Sequence, residues 1–229
     1  MALRRTRPDV GSVAPVSRHH PRSVLGEVLH NSHALLAFFA LSNCDILVAR
    51  AVLDDQASGL YAGGLILTKA VLFLPQFVVV LVFPSMSADT SRRTVQVRAL
   101  GLILAMGLVT VAVAAVASRL AVVFVGGSAY VELRPDIWAF AVLGTLLAMT
   151  QLQVYAVVAR QRGPAVLVLW TGLVAVVACS TVIGSLGALL AVMVGVLTCV
   201  LVGLAVAGRK PGPGPGSDPD PSSGTRVEA

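Results

Sequence analysis

The sequence has few charged residues. Only 12% of its 229 residues are Asp, Glu, Lys or Arg, whereas 56% are hydrophobic and the mean hydropathy is +0.86. A soluble domain is typically about 25% charged and about 45–50% apolar, so an ordinary soluble domain is excluded. The apolar residues form runs near the ~20 residues that span a bilayer, without strand-like alternation. The sequence therefore predicts an all-α, polytopic membrane protein.

Catalytic and metal-binding patterns are also missing. The three cysteines, Cys44, Cys179 and Cys199, lie in apolar runs without metal-ligand spacing, which favours buried hydrophobic side chains. The sequence contains no Gly-rich phosphate loop followed by Lys-Ser/Thr, and no His, Cys and Asp arrangement typical of a nucleophile. We therefore expect no enzyme activity, no cofactor and no metal. No removable signal peptide is indicated either.

Two polar ends flank the apolar part of the chain. Residues 1–22 form a basic arm without the interleaved aromatics of a nucleic-acid-binding segment, and we expect the arm to lie on an anionic membrane surface. Residues 209–229 are rich in Pro, Gly and Ser and predict a disordered tail. Residues 23–208 between them are predicted to form a six-helix transmembrane lobe.

The bounds of the six spans follow from the apolar runs and from helix-breaking residues. Pro135 and Pro164 suit the first turn of a helix, where the missing N–H of proline is not needed. A shorter apolar segment, residues 120–127, is expected to be interfacial or half-length. The predicted spans are residues 23–50, 58–83, 98–117, 135–160, 164–183 and 186–207.

Most of the 17 lysines and arginines fall on one side of this arrangement. They lie in the arm, in the loops after the second and fourth spans, and in the tail. Cytoplasmic loops of membrane proteins are enriched in Lys and Arg. The sequence thus predicts a multi-pass protein of the cell membrane with both termini in the cytoplasm.

Residues 41–84 carry ionisable side chains within predicted spans. Asp45 lies in the first span and Lys69 near the middle of the second, where an unpartnered charge is costly. Arg50 lies at the outer end of the first span and is expected to extend to the interface. Two interpretations remain open for Asp45 and Lys69. They form a buried lock that fixes helix packing, or they line a cavity that contacts a substrate or couples to an ion.

Other polar side chains extend this candidate site. In the second span, Tyr61, Lys69 and Gln76 share one helical face, because they recur at spacings of three or four with Leu65 and Phe73 between them. In the first span, Ser42 and Asp45 are predicted on one face and Asn43 and Arg50 on the opposite one. In the fourth span, a second polar cluster predicts either interhelical hydrogen bonds or a cavity lining; it consists of Thr150, Gln151 and Gln153.

Several short motifs follow one another between residues 43 and 87. Asn43 and Asp45 lie in the first span, Gly-Leu-Tyr (59–61) lies at the start of the second, and Phe-Pro-Ser-Met-Ser (83–87) lies at its end. This order resembles the polysaccharide-export flippases of the MOP superfamily, relatives of the lipid II flippases and of the multidrug MATE exporters. Residues 122–131 look like the short loop that precedes the fourth helix of a lobe in that family. The resemblance extends over about residues 25–207.

The resemblance implies a fold and a function. Members of the family have two six-helix lobes with a cavity between them, and this chain resembles the C-terminal lobe alone. It implies that the chain moves a lipid-linked oligosaccharide by alternating access with a second lobe, supplied by another polypeptide or by self-association. The pyrophosphate of such a substrate would be attracted by Arg50 and Lys69.

Other functions fit the same sequence. The chain is alternatively a non-transporting membrane scaffold or a degenerate fragment of a transporter, in which the charges only hold helices together. A small-molecule or drug exporter of the same architecture is a further alternative.

The predicted topology is tested with reporters fused to the C-terminus. We expect a fluorescent protein to fold and fluoresce there, and alkaline phosphatase to be inactive, because the positive-inside rule places this end in the cytoplasm. The opposite pair of results would show that this topology is wrong.

Overall fold

Helices make up the regular structure of this protein. The computed structural model describes residues 32–73, 92–158, 163–181 and 183–207, and no strand occurs within these ranges, so the all-α prediction is confirmed. The predicted arm and tail lie outside the described residues. The helices are α1 (residues 32–41), α2 (Cys44–Val52), α3 (Asp55–Leu72), α4 (Arg92–Val116), α5 (Ser118–Val125), a 3-10 segment (Gly127–Leu133), α6 (Ile137–Val158), α7 (Gly163–Ser180) and α8 (Leu186–Ala207).

Four stretches of helix are long and apolar enough to cross a bilayer. They are Ser32–Val52, which comprises α1 and α2, Thr94–Val116, Ile137–Val158 and Leu186–Ala207. These helices fit the predicted multi-pass membrane protein. The predicted number of six spans is not reached within the described residues. The fully described part of helix α7, Val166–Ser180, is shorter than a span. Helix α3 opens with polar residues and carries Lys69.

The first, second and fourth predicted spans differ from the observed helices. The second helix begins at Asp55 and not at residue 58, because the Asp54 carboxylate accepts a hydrogen bond from the Ala57 N–H at 2.7 Å. The fourth predicted span begins at Ile137 and not at Pro135, since residues 134–136 form a turn. The first predicted span is interrupted at residues 42–43.

Helix α6 lies at the centre of the bundle and packs against α3, α4 and α8. It carries no charged residue, and apolar side chains are buried along its length, among them Phe140, Leu147 and Val154. Small residues bring the neighbouring helices close: Gly144 of α6 faces the Thr68 backbone of α3, and Gly107 of α4 faces Thr145. Such residues favour tight packing where lipid removes the hydrophobic drive between helices.

The remaining helices pack around this centre. Helix α7 lies on α8, with Gly172 against Val200 and Gly203 against Val168. Helix α5 and the 3-10 segment lie beside α3. The main core therefore includes residues from α1, α2, α3, α6, α7 and α8, and a smaller cluster joins α4 to α6 through Ala99, Ile103 and Ala148.

The close approach of α3 and α6 is tested by Gly144→Ala. A Cβ atom at Gly144 would lie 2.6 Å from the Thr68 carbonyl oxygen, a backbone atom that cannot turn away. We expect a loss of about 1–3 kcal/mol in the free energy of unfolding in detergent. Gly101→Ala in α4 is the matched control, because nothing lies within 4 Å of its added Cβ. Equal stability of the two variants would contradict the packing described.

Candidate functional site

The first span is broken at Ser42 and Asn43. Asn43 has φ −129° and ψ −4°, outside helical values, and α2 restarts at Cys44. Both side chains bond to the preceding turn. The Ser42 hydroxyl donates to the Phe39 carbonyl oxygen at 3.1 Å, and Asn43 Nδ2 donates to the same oxygen at 2.8 Å. Ser and Asn offer the backbone such local partners, and in this way they end helices.

Lys69 of α3 covers the break. Its ammonium donates to the Ser42 carbonyl oxygen and to Asn43 Oδ1, the latter at 3.2 Å. The Asn43 carboxamide thus accepts from Lys69 through its oxygen and donates to Phe39 through its nitrogen. A carboxamide has both functions, which a carboxylate or an aliphatic side chain lacks. Lys69, itself half-buried, therefore ties α3 to the interrupted backbone of the first span.

Asp45 lies in the first turn of α2 and is only 1% exposed. Its Oδ1 accepts a hydrogen bond from the Ile46 N–H at 2.8 Å. Its Oδ2 is buried and has no hydrogen-bond partner within the described part of the chain. Asp45 and Lys69 attract each other electrostatically, but the hydrogen bonds of Lys69 go to the break. The two predicted charges therefore lie near each other, but no hydrogen bond or ion pair joins them.

Tyr61 lies in the core and not on a polar face. It is fully buried, and its ring meets that of Phe140 edge to face, with centroids 5.4 Å apart. Its hydroxyl is buried and, among the residues described, has no hydrogen-bond partner. One turn later, Gly64 leaves room for the Phe140 ring, and the Thr68 hydroxyl donates to the Phe140 carbonyl oxygen at 2.9 Å. This side of α3 is thus fastened to α6.

The other predicted site residues lie apart from this group or outside the described ranges. Arg50 is exposed in the last turn of α2. Gln76 lies outside the described residues. On the same predicted face, Phe73 is 62% exposed at the end of α3. The structure therefore brings together Asp45, Tyr61 and Lys69 around the α2–α3 pair.

The second polar cluster makes bonds within and between helices. Gln153 is buried and accepts a hydrogen bond from Gln96 of α4. The Thr150 hydroxyl donates to the Leu146 carbonyl oxygen of its own helix at 2.8 Å, and Gln151 donates to the Tyr155 hydroxyl. Of the two interpretations for this cluster, Gln153 follows the first, an interhelical hydrogen bond.

Sequence reasoning missed the contacts made by Ser42, Asn43 and Thr68. Asn43 was expected on the face opposite Asp45 because one continuous helix was assumed. The interruption changes the helical phase, so that Asn43 meets Lys69. A signal was present in the sequence, since the adjacent Ser-Asn pair inside an apolar run is typical of a helix end.

An open groove of about 540 Å³ lies along α1. Its lining is mainly apolar and consists of Ser32, His33, Leu35, Leu36 and Phe39. The Phe39 carbonyl oxygen is also the acceptor that holds Ser42 and Asn43. Ser42, Asn43 and Lys69 are not among the lining residues, so the groove and the break share only the turn at Phe39.

Comparison of the chain with family models, with curated proteins and with solved structures finds no match. The resemblance to polysaccharide-export flippases stays a prediction that rests on the motifs at residues 43–87 and 122–131.

The bridge between Asn43 and Lys69 is tested by a double-mutant cycle. We expect Asn43→Ala and Lys69→Met to be non-additive by about 0.5–3 kcal/mol in the free energy of unfolding, because either change removes the same bond. The measurement is denaturant unfolding in detergent. Lys69→Met combined with Gln153→Leu is the control, since Gln153 bonds to Gln96 instead. An additive Asn43–Lys69 cycle would rule out the bridge.

Proposed function

We propose that this chain is one lobe of a membrane transporter of the polysaccharide-export type, which moves a lipid-linked oligosaccharide across the cell membrane by alternating access. The observation that carries the proposal is the broken first span with Lys69 at the break. Non-helical backbone at membrane depth is tolerated where protein covers it or where it lines a cavity. Interrupted helices of this kind form the substrate and ion sites of many transporters.

The depth of the break supports this proposal. Lys69 lies fourteen positions after Asp55, so its Cα is about 21 Å along α3 from the start of the helix, at 1.5 Å per residue. The break lies about ten residues before the end of α2, or roughly 15 Å. If the α2–α3 turn lies at the membrane surface, both are in the middle part of a ~30 Å hydrocarbon core.

An amphiphilic substrate fits the surfaces near the break. The apolar groove along α1, which extends from Ser32 to Phe39, suits a lipid chain. Arg50, exposed at the end of α2, supplies a second cation on the first span. A polyprenyl chain in the groove and a pyrophosphate near the cations would use both features. These features support an anionic amphiphile as substrate, and the resemblance of the motifs adds the oligosaccharide to the proposal.

A second lobe is part of the proposal. Alternating access requires two halves that move around a shared site. Leu36, Phe39 and Leu47 of the first span are 56%, 67% and 71% exposed, so this edge of the lobe is free to meet a second polypeptide, a second copy or membrane lipid. We place both termini in the cytoplasm, as the distribution of Lys and Arg predicts.

A second candidate function is favoured by the contacts of Lys69. Its hydrogen bonds satisfy the backbone of the break, as they would in a non-transporting scaffold whose charges only hold helices together. The two candidates differ in one result. A transporter moves substrate and loses this activity when the charge of Lys69 is removed. A scaffold moves no substrate with or without that charge.

The proposal is tested in vesicles that hold a polyprenyl-pyrophosphate oligosaccharide. The purified chain is reconstituted at rising density, and lectin access reports sugar that has crossed the bilayer. We expect translocation to rise more steeply than linearly with density if two copies form the pathway, and to fall at least tenfold in Lys69→Met.

Gly101→Ala is the control in the same vesicles and should keep full translocation, since its added Cβ meets nothing within 4 Å. If folded chain moves no oligosaccharide at any density, and also none after co-expression with a candidate second lobe, the transporter proposal is wrong and the scaffold stands.

A further inference from the structure

We propose that the break in the first span is a monovalent-cation site, which the Lys69 ammonium occupies in place of a free ion. The ligands are the Ser42 carbonyl oxygen and Asn43 Oδ1. The Asp45 carboxylate, which attracts Lys69 without a hydrogen bond to it, is the balancing charge. This inference goes beyond the transport function and does not depend on it.

The geometry at the break is that of a cation site. The carbonyl end of a helix carries a partial negative charge, which favours cations. Residue 42 follows the last turn of α1, and its carbonyl oxygen turns to the ammonium and not to an N–H of the next turn. Asn43 adds a neutral oxygen whose orientation is held by the bond from Nδ2 to Phe39. Both oxygens thus converge on one positive charge.

The buried Asp45 supplies a second, independent indication. Its side chain is 99% buried, its Oδ2 has no hydrogen-bond partner within the described ranges, and its charge attracts Lys69. A buried polar atom without a partner requires an explanation such as an unseen ion or water. Once the Lys69 charge is removed, the buried carboxylate needs another positive charge at the break, which is either a bound cation or a proton.

The chemical class of the ion follows from these ligands. Carbonyl, carboxamide and carboxylate oxygens are ligands for hard cations. Within the described ranges, no three His, Cys, Asp or Glu side chains group together as a metal cluster would require. One carboxylate with neutral oxygens balances a single charge. The site therefore suits Na⁺, K⁺ or a primary ammonium.

The experiment uses Lys69→Ala, which removes three methylenes and the ammonium and leaves the Cβ methyl. The full chain is purified in detergent, and its melting temperature is measured at constant ionic strength in chloride salts. The cations are Na⁺, n-propylammonium, which replaces the missing side-chain atoms, and N-methyl-D-glucamine, which is too large. We expect Lys69→Ala to melt lowest in N-methyl-D-glucamine, and to gain about 2–5 °C, saturably, with Na⁺ or n-propylammonium.

The controls separate this site from general salt effects. The wild-type chain should melt at the same temperature in all three salts, because its own ammonium fills the site. Lys69→Ala/Asp45→Asn and Lys69→Ala/Asn43→Ala should lose the cation-dependent gain. If Lys69→Ala does not fold, Lys69→Gln is titrated in the same way. The proposal is overturned if the folded variant shows no saturable gain with either cation, or if the wild type shows the same gain.

Discussion

The structure depends on how the polar backbone of an interrupted membrane helix is satisfied away from water. At the break after α1, the Ser42 carbonyl oxygen has left the helical pattern, and a buried carbonyl without a partner costs about 1–3 kcal/mol. Lys69 reaches from α3 and donates to this oxygen and to Asn43. Lys69 therefore ties α3 to the break. On its other side, α3 is hydrogen-bonded to α6 between Thr68 and Phe140. The central helix and the broken span are therefore linked through α3.

These contacts also explain why Asp45 and Lys69 occur together. A lysine in a bilayer interior is costly when it has no partner. Here its ammonium donates to two oxygens and is attracted by the Asp45 carboxylate, and the side chain is half-buried. Asp45 in turn lies in the first turn of α2, where the positive end of the helix dipole stabilises a carboxylate. Each charge thus has a local partner of its own, and the mutual attraction adds to it.

The helical class of this chain can be predicted from the sequence because its apolar runs are long enough to span a bilayer. The approximate bounds of α4, α6 and α8 follow from the same runs. The start of α3 was missed although Asp54 is a typical capping residue, because the apolar run begins several residues later. The break was missed because helical periodicity was extrapolated across Ser42 and Asn43. A phase error of this kind cannot be detected from periodicity alone, and it placed Asn43 on the wrong side. The partner of Lys69 depends on tertiary contacts between α2 and α3, which no local pattern specifies.

The unsatisfied atoms around the break argue for more than a static lock. A lock that evolved only to hold helices would be expected to satisfy its own polar groups, since a buried polar atom without a partner lowers stability. The Gln96–Gln153 pair meets that expectation across α4 and α6. By contrast, Asp45 Oδ2 and the Tyr61 hydroxyl are both buried without a partner in the described chain, and the Asp45 charge acts on Tyr61. Arg134 Nε and Gln151 Oε1 are the other two such atoms in the described chain, so half of them lie at the α2–α3 pair, beside the break. Neighbouring buried polar atoms without a partner call for an explanation, such as a bound group or a change of conformation.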